Sequence, residues 1–390
     1  MKVAIRSLVF FLIMGLLSCQ GVKEKEGEPS RMTGTVGQLV EQLKKRTDCI
    51  VLGEGGKSLL VITPAYGARV IAASVKGLEG ENLLWANSRI ATEAFWTSKP
   101  AQWNLGGART WIAPEDIFYL DKQNNWFVPA QMDPGNYQLV KREGKSIVCA
   151  NEFALRNKRD EEYQVKITRT ITLLDEAPET AEGLGFVGLQ FTHELENLSN
   201  KTLGQDVSPM GLWSLIQINP SGTIFVPVQK DQKHGGIIYR DYGGEAFNVI
   251  PPERLVVSDE VLCLKVDGKF RCKLGIAPWA CKNGLAYLSY REGAEGILYL
   301  KQFEVEPEGM YLDHPWGKPS DYGDAIQMYN DDGKMGGFAE MECHAPAKAL
   351  APGEKQSHTI TFTMYTGELE TLKKIAGEKL SLDMGKVTLF

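Results

Sequence analysis

Between Tyr163 and Asp175, Val165, Ile167, Ile171 and Leu173 alternate with Lys166, Thr168, Thr170 and Thr172. An extended backbone turns successive side chains to opposite faces, so this spacing predicts a strand with one buried face. The pattern returns near the end of the chain, where Ile360, Phe362 and Met364 alternate with Thr359, Thr361, Thr363 and Tyr365. Clusters of Gly, Pro, Asn and Asp at 133–136, 219–222, 241–244, 283–284 and 330–337 break such runs and mark turns. A strand-helix-strand rhythm is missing, which disfavours a parallel α/β sheet and leaves one large, mainly antiparallel all-β domain. Helical spacing is confined to two terminal pieces. Val36, Leu39, Val40 and Leu43 form an apolar stripe ahead of basic Lys44, Lys45 and Arg46, and Glu368 to Lys379 forms the other.

The first residues follow a different logic. Lys2 and Arg6 precede an apolar run from Leu8 to Leu17, and Leu16-Leu17-Ser18-Cys19 closes it. This resembles a bacterial lipoprotein signal, so the expectation is removal of residues 1–18 and lipid on Cys19. Residues 19–34, with alternating Lys and Glu and no apolar run, read as a flexible tether, and 35–390 as the folded domain. The apolar run is too short to span a bilayer. The expected location is the bacterial cell envelope, anchored in the outer membrane and facing periplasm or surface, with membrane contact only through Cys19. Loss of Lys2 and Arg6 takes the formal charge from −6 to −8. Nucleic-acid binding, which needs a basic footprint, is thereby disfavoured. Cys49, Cys149, Cys263, Cys272, Cys281 and Cys343 show no CxxC spacing, which argues against zinc. An oxidising compartment permits a Cys263–Cys272 pair across a hairpin, and free buried thiols are equally compatible.

The most chemically loaded stretch runs from Asn104 to Glu115 and holds Gly106-Gly107, Arg109, Trp111, Pro114 and Glu115, with Trp96, Trp103 and Trp126 nearby. The glycines allow positive φ or a close backbone approach. Indole rings beside a guanidinium and a carboxylate suit a sugar, whose C–H faces stack and whose hydroxyls take charged partners. A turn followed by a structural Arg–Glu pair is the plainer reading of the same residues.

Two further segments carry a resemblance. Ala65-Tyr66-Gly67-Ala68-Arg69 with Gly80-Glu81-Asn82-Leu83-Leu84-Trp85, and Gly337 to Pro346 followed by Leu350-Ala351-Pro352-Gly353-Glu354, resemble the opening and closing patterns of galactose mutarotase-like (aldose 1-epimerase-like) proteins. Bacterial lipoproteins of that superfamily are the nearest likeness, over about residues 50–366. The resemblance implies a super-sandwich of two large twisted sheets that binds a mono- or oligosaccharide in a cleft, with Arg109 as a substrate-binding residue and Glu342 as the base. It also implies a histidine acid on a middle strand, yet the matching segment, Ser208 to Gln217, contains none.

Mutarotation needs a base at the anomeric hydroxyl and an acid at the ring oxygen. Glu340 and Glu342 stand two apart on a predicted strand and so share a face, where one carboxylate raises the pKa of the other. Glu342 is the expected base, Glu340 its neighbour and His314, in the aromatic and acidic segment Tyr311 to Gly317, the candidate acid. Trp111 and Trp316 are expected to stack on sugar, and Glu115 and Trp213 to line the site; His193 and His358 read as structural, and His234 as a surface turn. Asn330-Asp331-Asp332-Gly333 lacks the spacing of a calcium loop and reads as a turn. No metal or cofactor is expected. The competing functional reading is a sugar-binding protein without the mutarotase acid.

Overall fold

The computed structural model describes residues 32–53, 57–97, 103–178, 181–204, 208–244, 246–282, 284–290, 295–316 and 322–390. The expected signal, Cys19 and nearly all of the tether lie outside these residues. Helix Val36–Lys44 comes first. Thr35 caps it through Gln38 N, the Gln38 side chain returns to the Thr35 backbone, and Val36, Leu39, Val40 and Leu43 form the buried stripe anticipated from their spacing.

Among the described residues the strands form two sheets, and every pairing in them is antiparallel. The nine-stranded sheet runs, edge to edge, Ile50–Leu52, Leu59–Thr63, Arg69–Ser74, Ala108–Ala113, Gly211–Ile218, Ala339–His344, Ile326–Asn330, Cys272–Ile276 and Tyr239–Asp241. The ten-stranded sheet runs Leu255–Val257, Val261–Val266, Gly222–Pro227, Gly284–Ser289, Gly296–Phe303, Lys355–Gly367, Gly185–Asn197, Glu162–Leu174, Ser146–Arg156 and Gln138–Glu143. The two strands with the clearest alternation, Glu162–Leu174 and Lys355–Gly367, both belong to the second sheet, and Glu162–Leu174 buries every other residue. The expected all-β sandwich with short terminal helices is what forms. The last helix, Leu369–Leu380, lays Leu372, Ile375 and Ala376 on Leu298, Leu300 and Tyr365 of the ten-stranded sheet.

One face of each sheet meets the other in a large shared core. Several polar groups in that layer find partners across it, which offsets the cost of burying them. The Lys301 ammonium donates to the carbonyls of Ser214 and Met341, both at 2.8 Å, and so ties the ten-stranded sheet to two central strands of the other. Arg169 donates to the carbonyls of Gly67 and Ala68 at 2.7 and 2.8 Å. His193 bonds Thr110 at 2.9 Å between the sheets, and His358 is buried near Cys343. His234 lies in a short turn of 3-10 helix, stacked on Trp279. The hairpin envisaged for Cys263 and Cys272 does not exist. Cys263 lies in the ten-stranded sheet and Cys272 in the nine-stranded one, and all six cysteines from Cys49 to Cys343 are free thiols.

Candidate functional site

Strand Gly211–Ile218 lies between Ala108–Ala113 and Ala339–His344, and its register fixes what stands beside what. Arg109 pairs with Leu215 and Leu215 with Glu342; Trp111 pairs with Trp213 and Trp213 with His344; Gln217 pairs with Glu340. Paired residues of antiparallel strands share a face. The next two strands extend these rows, with Tyr329 opposite Glu340 and Lys273, and Gln327 opposite Glu342. These side chains occupy the face turned away from the ten-stranded sheet, while alternate residues such as Thr110 and Cys343 reach toward it. The whole strand Ala339–His344 is buried, because loops cover the outer face too.

Close approach of backbones makes this possible. Gly106 and Gly107 have φ of 116° and 65°, and a Cβ on Gly107 would lie 2.0 Å from the Val70 carbonyl oxygen. The sequence reading of these glycines is therefore met, although Arg109 sits in a strand rather than a turn. Just beyond the strand, Glu115 opens the short helix Glu115–Phe118, and its backbone N–H donates to Asp313 at 2.7 Å.

Charges on this face are arranged in pairs. Arg109 contacts Glu340 at 2.8 Å through Nη2, and its guanidinium lies 4.4 Å from the Trp111 ring centroid; its Nη1 has no hydrogen-bond partner. Asp133 accepts from Arg69 and from the Trp111 indole N–H, each at 2.8 Å. Lys273 is the central cation. Its ammonium lies 3.4 Å from Glu115, 3.6 Å from Asp313 and 4.0 Å from Glu342, over the Trp213 ring at 4.7 Å. Burial opposes its charge, but Glu115, Glu342 and Asp313 together hold it above the usual lysine range. Glu342 also accepts from the Trp213 indole N–H at 2.8 Å. Burial pushes its carboxyl up to about 7, against the pull of Lys273 and with the help of Glu340 and Glu115. Burial likewise raises Glu115, which Lys273 opposes. His344 stacks on Trp213 with centroids 5.2 Å apart, and burial lowers its pKa to about 3, so the ring is neutral.

Two neighbouring spaces adjoin these groups. An inner cavity of about 50 Å³ is lined by Arg109, Glu115, Trp213, Lys273, Glu340 and Glu342 among others. An outer hollow of about 540 Å³ is lined by Trp126, Phe247, Arg271, Trp316, Asp332 and Met335 among others. Trp126, Phe247, Arg271 and Met335 border both. The hollow is within the size range of small-molecule sites, roughly 300–1,000 Å³, whereas the inner cavity admits a substituent, not a ring.

The structure thus brings Arg109, Trp111, Glu115, Trp213, Glu340 and Glu342 to one cavity and places Trp316 in the hollow outside it. Two expectations are corrected. Trp111 has no open face for stacking, because Arg109 and Tyr119 lie against its ring, which is 2% exposed. His314 does not line the inner cavity; its Nδ1 lies 3.1 Å from the Pro315 carbonyl, and the preceding residue, Asp313, turns inward to Lys273 and to the Gln327 amide. Asn330 to Gly333 forms a turn, with Asp331 accepting from the backbone of Gly333, Met335 and Gly337. Lys273, Arg271, Phe247 and Asp313 escaped the sequence reading. The signal for the first was a single lysine within Cys272-Lys273-Leu274-Gly275-Ile276, an otherwise apolar strand.

A family model described as "Family of unknown function (DUF6786)" matches residues 34–390. A search of curated proteins returns no match. Among solved structures, a candidate aldose 1-epimerase from Escherichia coli K12 superposes with a TM-score of 0.50 at 13% identity, over 81% of this chain and 98% of that one. A galactose mutarotase-like protein from Lactobacillus casei ATCC 334 gives a TM-score of 0.47 at 12% identity, over 81% of this chain and 100% of that one. At such identities the first likeness establishes the fold, which is galactose mutarotase-like.

Proposed function

The chain belongs to the DUF6786 family, and on that premise we propose that it binds a carbohydrate in the outer hollow and acts on one of its hydroxyls with Glu342. What carries this reading is the junction of an aromatic hollow with a small cavity holding a buried carboxylate. Trp126, Phe247 and Trp316 offer ring surface for a pyranose, and the inner cavity accepts one hydroxyl from its edge. The unpartnered Arg109 Nη1 is a donor for that hydroxyl. A carboxylate titrating near 7 suits a general base at neutral pH. Glu115, which lines the same cavity and whose carboxyl burial also raises, is the group to return a proton, while Lys273 stays charged beside both carboxylates.

One observation favours a second reading, a sugar-binding protein without catalysis: among the described residues no histidine lines the inner cavity. Anomer interconversion of a panel of aldoses, followed by proton NMR, separates the two. On the first reading the wild type exceeds the buffer rate for at least one sugar, and Glu342→Gln loses about 10²-fold or more of that excess. Rates equal to buffer for all sugars, with binding intact, select the second. Failure to bind any mono- or oligosaccharide overturns both.

The sequence pattern ending at Cys19 supports a further part of this proposal, that the domain is held by lipid in the bacterial envelope.

A further inference from the structure

We propose that the outer hollow takes an acidic sugar, with Arg271 as the residue that binds its anionic substituent. This rests on the carbohydrate reading of the hollow and specifies the substrate class within it.

The inference comes from the pairing of charges. Four cations line the two neighbouring spaces: Arg109, Arg271, Lys273 and Lys334. Arg109 has Glu340 at 2.8 Å, Lys273 has Glu115 at 3.4 Å, and Lys334 has Asp332 at 2.6 Å. Among the described residues Arg271 has no carboxylate within the 4.0 Å that defines an ion pair, and its buried Nε has no hydrogen-bond partner. It stands between the inner cavity and the hollow, bordering both.

Its position is also built. The Arg271 carbonyl accepts from the backbone and side-chain N–H groups of Asn248, at 3.0 and 2.9 Å, which fastens this end of the strand to the loop that carries Phe247. The guanidinium then lies 5.3 Å from the Phe247 ring centroid and 6.0 Å from that of Tyr329. Stacked rings hold the planar fork without using its hydrogen bonds, which leaves donors for a ligand. The carboxylates nearby, Glu340 and Asp332, each have a closer cation, so an incoming anion meets a guanidinium with no ion-pair partner of its own beside aromatic rings. A uronate carboxylate and a sulfate ester share the required chemistry, two or more acceptor oxygens on a sugar ring.

Isothermal titration of the purified protein tests this with oligosaccharides of galacturonate and glucuronate, their carboxyl-reduced counterparts, and a sulfated oligosaccharide on the neutral backbone. The expected result is that a uronate or the sulfated probe binds at least about tenfold tighter than its neutral counterpart, the lower end of what a charged hydrogen bond contributes. Which acidic probe binds identifies the substituent. Arg271→Gln should bring acidic and neutral affinities together, and Arg271→Lys, which keeps charge but not the fork, should restore part of the difference. Equal affinity for acidic and neutral probes in the wild type overturns the proposal and leaves the carbohydrate site standing. Binding of no carbohydrate overturns the reading beneath it as well.

Discussion

Glu342 shows how a residue type acquires its chemistry from its surroundings. The strand alternation of Glu340 and Glu342 against Met341 and Cys343 is visible in the sequence, and it is enough to place both carboxylates on one face. It does not reveal that loops cover that face, and burial is the largest cause of the rise of Glu342 from 4.5 to about 7. The pH consequence has a definite sign. A carboxyl that titrates higher when folded contributes stability that is full below its unfolded value and is lost as pH rises through about 7. Glu342→Gln removes that dependence, so in thermal melts from about pH 5 to about pH 8 the difference in Tm should move in favour of the variant. His344, held near 3, contributes with the opposite sign but is common to both proteins and cancels. Parallel Tm profiles would contradict the assignment. Lys273 was harder to foresee, since its three carboxylates come from a helix, a loop and a different strand. His314 was chosen from a segment that does reach the site, but through its neighbour Asp313.

Among the elements, the strand Ala108–Ala113 depends on the two glycines before it. Gly107 N donates to the Trp85 carbonyl at 2.8 Å, and the backbone passes against Val70 with a positive φ of 65°. Gly107→Ala should therefore destabilise the fold by about 1–3 kcal/mol from the left-handed backbone alone, with the clash against Val70 adding to it. Urea denaturation measures this, and a variant within about 0.5 kcal/mol of wild type, the usual range of neutral surface changes, would refute it. The two terminal helices were the most legible elements, whereas the short helices Glu93–Thr97 and Glu115–Phe118 were not anticipated. Val36, Leu39, Val40 and Leu43 form the expected stripe within the nine-residue first helix, and Thr35, just ahead of it, closes a capping box with Gln38. The central strands were less so, because Gly211–Ile218 and Ala339–His344 are buried on both faces. In such strands alternation between core and cover replaces alternation between core and water.

At the scale of the molecule, two sheets share one core and leave one outer face of the nine-stranded sheet to carry the site. The envelope proposal belongs to this scale. Intact-mass spectrometry and membrane fractionation of the full chain expressed in a bacterium should show a lipid adduct on Cys19, with Cys19→Ala moving the protein to the soluble fraction. Membrane retention of Cys19→Ala would overturn the anchor. By itself the sequence determined the all-β class, the terminal helices and the face shared by Glu340 and Glu342, since each follows from the period of the backbone within one segment. Tertiary structure alone decided the central place of Lys273, the enclosure of Trp111 between Arg109 and Tyr119, the choice of Asp313 over His314 and the unpaired state of Arg271. Each of these depends on contacts between segments far apart in the chain, where distance and burial, rather than local periodicity, set the charge and exposure of a side chain.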